Sequence, residues 1–251
     1  MSSSIWTRCA GDSELRALHL SPWRAVEAQH QVSTRKLVGS LAEQELLEEL
    51  LERSKPPAVG GATLHYLLAT PFRYPPLRHG SRFGTRHERG IWYGAETRRT
   101  AFAEVAYYRF LFVAGTHAEL GTLTTELTVF TVHARSARGV DLTDPPFDAH
   151  RDAIASPTSY AATQALGAAM RVAGVELFRY PSARDPEGGA AVGAFTPAVF
   201  GRARPRSLEG WQCTVSPATA EFAKRDYFAR DTFAFARELF LVDGVLPLPS
   251  S

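Results

Sequence analysis

From Thr63 onward the chain is built of short apolar stretches separated by turn-forming clusters, and only two stretches there are long enough for a helix of several turns. This patterning limits the fold more than any other feature. Short β-type segments bounded by Pro, Gly and Asp suit a sheet, whereas a helical bundle needs long stretches with a 3.6-residue period. Strands are expected at Leu64–Leu68, Ile91–Gly94, residues 120–133 as one strand or a broken one, Val175–Tyr180, Ala191–Phe195, Trp211–Val215 and Phe233–Val242. Helices are expected from Thr97, which can cap, to about Phe112, and from Ser159 to Ala173, ended by Gly174. Residues 71–90 and Asp144-Pro145-Pro146 read as loops, and residues 185–189 as a turn between strands. The fold class is α+β, a mixed sheet with few helices.

Residues 21–53 read differently. Ser21-Pro22 suits a helix start, and Leu37, Val38, Leu41, Leu47, Leu50 and Leu51 fall near helical spacing with glutamates between them. Pro56-Pro57 and Gly60-Gly61 then form a joint. A helical N-terminal extension over residues 1–60 and a main body over 61–251 follow, the extension either packing on the body or binding a partner.

A net charge of +2 over 251 residues gives no argument for direct nucleic-acid binding. The charge is concentrated, however. Residues 71–110 hold eight arginines against three glutamates, which suits an anionic ligand or a solvated basic surface. Cys9 and Cys213 are too few for a disulfide framework or a zinc site, and the histidines lack ligand spacing, so no metal is expected. The first fifteen residues lack the apolar core of a secretory signal, and no apolar run approaches a membrane span, so a cytoplasmic protein without membrane contact is expected.

Several residues could carry chemistry. Glu104 lies in AFAEVAYY, where a buried carboxylate needs a partner and an exposed one needs no explanation. Arg73 and Arg82 sit in loops fixed by Pro, Gly and aromatic neighbours and either hold an anion or cap backbone carbonyls. Ser182 follows Tyr180-Pro181 and on its own reads as a turn residue. The nucleophile elbow, the phosphate-binding P-loop, the dinucleotide glycine fingerprint and the zinc-protease signature are absent.

Taken in order, Phe72-Arg73-Tyr74, Gly80-Ser81-Arg82-Phe83, Gly90-Ile91-Trp92-Tyr93, Thr100-Ala101-Phe102-Ala103-Glu104 and Arg179-Tyr180-Pro181-Ser182 resemble the RES domain, over roughly residues 63–215. The resemblance implies a fold similar to ADP-ribosyltransferase toxins. It also implies an enzyme that degrades NAD⁺ at the nicotinamide–ribose bond, by hydrolysis or by phosphorolysis with inorganic phosphate. NAD⁺ is then a substrate, and no cofactor is expected. Arg73, Glu104 and Ser182 are the implied catalytic residues, and Tyr74, Arg82 and Tyr93 the implied substrate-binding ones. The implied biological role is the toxin of a toxin–antitoxin pair whose partner is a helix-turn-helix antitoxin, and a homodimer is compatible with it. Two alternatives stay open: a mono-ADP-ribosyltransferase acting on a protein, and a non-catalytic module that binds a nucleotide or a partner.

Overall fold

The computed structural model describes residues 4–28, 37–56, 64–74, 76, 78–116, 121–228 and 230–248. Among these are ten strands: β1 (Arg16–Leu20), β2 (Trp23–Glu27), β3 (Trp92–Ala95), β4 (Leu123–Thr131), β5 (Ala134–Asp141), β6 (Leu177–Pro181), β7 (Ala190–Ala194), β8 (Ser207–Val215), β9 (Thr219–Lys224) and β10 (Thr232–Ala236). The helices are α1 (Ile5–Arg8), α2 (Leu41–Ser54), α3 (Tyr66–Arg73), α4 (Arg98–Ala114), α5 (Arg151–Ile154) and α6 (Ala161–Val172). One sheet holds all ten strands in the order β1-β5-β6-β7-β3-β2-β4-β8-β9-β10, antiparallel except for β5 beside β6. The mixed α/β architecture agrees with the sequence patterning.

The sheet is pinched in the middle. β2 pairs along its whole length with β4, and β3 along its whole length with β7, but β2 and β3 meet only where Trp23 opposes Ala95. Gly94 permits that approach, because a Cβ there would lie 2.8 Å from the Trp23 carbonyl and 2.7 Å from the Trp92 ring. Past this point the two five-stranded halves diverge and leave space between β2 and β3.

Helix α4 packs beside the divergence. Thr97 caps it, its hydroxyl accepting from the Thr100 N–H at 3.1 Å. One face carries Phe102, Ala103, Ala106, Tyr107 and Phe110 into a core shared with β8, β9 and β10. Phe102 is fully buried, stacked on Phe222 with ring centroids 4.4 Å apart. Truncating such a ring costs about 3–5 kcal/mol. The other face, with Ala101, Glu104, Val105, Tyr108 and Phe112 at helical spacing, is left for the space between the strands.

Three expectations need correction. Residues 23–27 form a strand and not the start of a helix: β4 satisfies the backbone of β2, and the predicted helix is present only as α2. Residues 29–36 and the Pro56-Pro57/Gly60-Gly61 joint beyond Pro56 lie outside the described residues. Leu64–Leu68 is not a strand, since α3 begins at Tyr66 with the His65 Nδ1 accepting from the Leu67 N–H at 3.3 Å. A five-residue apolar run has no period that separates the two readings. The last predicted strand ends at Ala236, where a 3₁₀ turn over Arg237–Phe240 takes over. Strands β1, β5 and β9 have no counterpart among the expected strands. Residues 16–27 therefore share the sheet of the main body, and the helices within the expected extension are α1 and α2. The 120–133 stretch is one unbroken strand, β4, over Leu123–Thr131.

Candidate active site

A cavity of about 870 Å³ occupies the divergence between β2 and β3 and is closed by α3 and α4. That volume lies in the range of small-molecule sites. The side chains on its walls arrive from far apart in the sequence.

Glu104 enters from α4. Its Oε1 accepts from the Ser182 hydroxyl at 2.6 Å. Ser182 is buried just after β6, and its Oγ in turn accepts from the backbone N–H groups of Arg184 at 3.1 Å and Asp185 at 3.2 Å. Two donors from the turn fix the oxygen, so its single proton is directed at the carboxylate. The turn is anchored to the start of α4, where Asp185 pairs with Arg99 and accepts from the Thr100 hydroxyl at 2.7 Å. Ser182 thus sits behind Glu104 and holds one carboxylate oxygen in place.

Tyr93 comes from β3. Its hydroxyl accepts from the Phe83 N–H at 3.1 Å and shares a 2.9 Å hydrogen bond with the Ser81 hydroxyl. Desolvation pushes its pKa up to about 12, so it is a neutral phenol at ordinary pH. Tyr180 on β6 also lines the cavity. Burial raises its pKa well above the ordinary value, and the Glu104 carboxylate adds to that.

Arg82 sits in a tight turn closed by the Ser81 N–H to Gly84 carbonyl bond at 2.7 Å. Gly80 at its head has φ +72°, a conformation that favours glycine. The Arg82 guanidinium is buried. Nη1 donates to the carbonyls of Ile154 at 3.2 Å and Ser156 at 2.9 Å, and the group lies over the Tyr160 ring. Arg82 lines the cavity while tying its turn to α5. Tyr74, just past α3, is on the cavity wall. Arg73, the last residue of α3, is not on that wall, and its Nε donates to the Pro56 carbonyl at 2.5 Å.

One cationic wall residue escaped sequence reasoning. Arg24 on β2 lines the cavity, and its Nη1 donates to the Tyr93 carbonyl at 2.8 Å. Among the described residues no carboxylate pairs with it, whereas the neighbouring Arg109 pairs with Glu27 at 2.7 Å. Burial pushes the pKa of Arg24 down to about 10, and its guanidinium lies over the Trp92 ring, 5.4 Å from the centroid. A strand reading of Trp23-Arg24-Ala25-Val26-Glu27 would have exposed an arginine among apolar neighbours, but the helical reading of residues 21–53 hid it.

Among the described residues no group of His, Cys, Asp or Glu side chains could hold a metal ion, and no helix is long and apolar enough to cross a membrane. The arrangement is therefore a carboxylate with one oxygen held by a buried serine, a neutral phenol, and a desolvated arginine around an open space. Such a site can stabilise a developing positive charge while holding an anionic group nearby.

The sequence profile of the RES domain matches residues 55–216, well over half of the chain. The chain belongs to the RES domain family. A comparison with curated proteins returns no match. The matched RES region contains Glu104, Ser182, Tyr93, Arg82, Tyr74 and Arg73 but not Arg24, which reaches the cavity from a strand N-terminal to it.

Proposed function

We propose that this RES-domain protein degrades NAD⁺ by cleaving the bond between nicotinamide and ribose, with water or inorganic phosphate as acceptor. Family membership supports an NAD⁺-acting enzyme in general. The observation that carries the finer reading is the Glu104 carboxylate, held at one oxygen by Ser182 on the wall of the cavity.

Breaking the C1′–N bond returns its electron pair to the pyridinium ring, which leaves as neutral nicotinamide. The leaving group needs no proton. The ribose becomes oxocarbenium-like, with positive charge over C1′ and the ring oxygen. Glu104 stabilises that cation through the oxygen that Ser182 leaves open and orients the acceptor, which forms the new C1′–O bond; water passes its proton to the Glu104 carboxylate, whereas a phosphate dianion attacks through an oxygen that carries none. Tyr93 and Tyr74 offer aromatic surface and hydroxyls to the nicotinamide riboside end. Arg24 and Arg82 carry the positive charge that the substrate pyrophosphate, or an attacking phosphate, requires. In the cell the activity fits the toxin of a toxin–antitoxin pair, with a helix-turn-helix antitoxin as its partner.

The test is NAD⁺ consumption by purified protein, with and without inorganic phosphate, beside Glu104→Gln. Consumption that the variant abolishes is the expected result, and a phosphate requirement selects phosphorolysis. Consumption unchanged in Glu104→Gln sinks the assignment. Label from NAD⁺ that ends on a macromolecule makes the acceptor a protein.

A further inference from the structure

A pocket of about 360 Å³ lies at the β1–β5 end of the sheet and shares no lining residue with the cavity between β2 and β3. Three segments build it. His19 on β1 stands directly across from Arg135 on β5. Residues so opposed keep their Cβ atoms about 4.5–5.5 Å apart, and alternate residues of a strand share a face. Ser21 and His133 extend the same face past the strand ends, and the Ser21 hydroxyl meets His133 Nδ1 at 3.2 Å. The third segment follows Phe200, which bridges to Ala134. The Gly201 N–H donates to the His133 carbonyl at 3.1 Å, and Arg202 completes the wall. A Cβ on Gly201 would stand 3.9 Å from Arg135 Nε, so that side chain reaches across to this loop.

No acidic residue lines the pocket. Ser136, the next residue of β5, lies on the opposite face and donates to Glu176 at 2.6 Å. Among the described residues neither Arg135 nor Arg202 has a carboxylate partner, whereas Arg16 on β1 meets Asp144 and Arg179 on β6 meets Glu96, each at 2.7 Å. Like charges gathered without an acid repel one another, and an anion between them reverses the sign.

We propose that this pocket is a second ligand site, which takes the dianionic phosphate group of a small phosphorylated metabolite. Two guanidinium forks match phosphate oxygens, and the imidazoles and the serine add further donors. When His133 Nδ1–H donates to Ser21 Oγ, the serine proton is left to point at the phosphate. A bare phosphate is a few waters in size, at about 30 Å³ each, so room remains for an organic group. No ring larger than an imidazole lines the space, which suits a polyol better than a nucleobase. The backbone beneath is held, since the Thr131 hydroxyl donates to the Ser21 carbonyl at 3.1 Å. None of this depends on the NAD⁺ reading.

The experiment is calorimetric titration of the full chain with glucose 6-phosphate, inorganic phosphate and glucose, repeated with Arg135→Gln, Arg202→Gln and, as a control, Arg230→Gln, an exposed arginine before β10. The wild type should bind glucose 6-phosphate and ignore glucose. Each pocket variant should weaken that binding at least about five-fold, and the control should not. Arg135 and Arg202 are exposed, so melting should stay at the wild-type value. NAD⁺ turnover, and affinity for ADP-ribose as the product of NAD⁺ hydrolysis, should also be unchanged. Tighter binding of glucose 6-phosphate than of phosphate makes the ligand an ester, and the reverse order makes it the free anion. Absence of binding by either, equal weakening by Arg230→Gln, or a parallel loss of ADP-ribose affinity in the pocket variants overturns the proposal.

Discussion

The hydroxyl of Ser182 donates to Oε1 of Glu104 across 2.6 Å, although 78 residues separate the two in the chain. The serine oxygen is itself held by two backbone N–H groups of the following turn. The pair therefore acts as one unit. The turn fixes the serine, and the serine fixes the carboxylate.

Replacing Ser182 with alanine removes the bond to Glu104 and leaves two buried N–H groups without their acceptor. Each lost bond of this type is worth about 0.5–1.5 kcal/mol, and an orphaned buried donor costs about 1–3 kcal/mol. NAD⁺ turnover should fall about ten-fold, which corresponds to about 1.4 kcal/mol. The melting temperature should drop as well. Glu104→Gln should behave in the opposite proportion, with activity lost by about a hundred-fold or more and little change in melting. Comparing kcat and melting temperature for the two variants checks both statements. A Ser182→Ala protein with full turnover would show that Glu104 needs no such support.

Arg24 separates binding from stability. Its charge is desolvated and lacks a carboxylate partner among the described residues. Arg24→Met should change the melting temperature little, because removing a half-buried charge offsets the loss of its bond to the Tyr93 carbonyl and of its position over the Trp92 ring. ADP-ribose affinity should nevertheless fall by about ten-fold or more, the loss expected when a charged hydrogen-bond partner of a phosphate is removed. Arg24→Lys should recover only part of that affinity, since a point charge does not replace a planar fork. Affinity and melting curves measured side by side decide it, and a variant that melts much earlier with unchanged affinity contradicts it.

Tyr93 sets an alkaline signature. Its pKa is pushed up to about 12, against 10.0 for a free tyrosine. In the unfolded chain the phenol loses its proton first, so above pH 10 the unfolded state binds fewer protons than the folded state. Stability from this group is intact below pH 10 and is lost as pH rises toward 12. Denaturant midpoints measured between pH 9 and 12 should fall in the wild type and fall less steeply in Tyr93→Phe. The same neutral phenol should place no limb in the activity profile between pH 6 and 9.

Gly90 holds α3 against the strand that leads to Tyr93. A Cβ at this position would lie 1.9 Å from the Pro71 carbonyl oxygen and 2.8 Å from that of Tyr74, both backbone atoms that must shift. Gly90→Ala should cost about 1–3 kcal/mol, as other overpacked sites do. It should also weaken ADP-ribose binding, because the displaced segment carries Tyr74 on the cavity wall. Wild-type melting and binding in Gly90→Ala would mean that this contact is slack.

Much of the site was legible because it rests on local chemistry. Thr97 capping a helix that carries Glu104, the short strand at Tyr93, the turn around Arg82 and the turn after Ser182 are all set by neighbouring residues, and the RES-like spacing tied them together. The contact between Ser182 and Glu104 was not legible, since nothing in a turn serine names a partner 78 residues away. Nor did the sequence separate Arg73 from Arg24. Both are arginines beside aromatic residues, and only the pairing of β2 with β4 and its divergence from β3 puts Arg24 on the cavity wall while Arg73 donates to the Pro56 carbonyl.

The sequence by itself determined the mixed α+β character, the start of α4 and the family, because periodicity, capping and turn residues act over a few positions. Tertiary structure decided that WRAVE is a strand and HYLLATPFR a helix, and that the sheet parts between β2 and β3. Short apolar stretches take whichever state lets partners elsewhere satisfy their backbone, and a cavity exists only where such partners diverge.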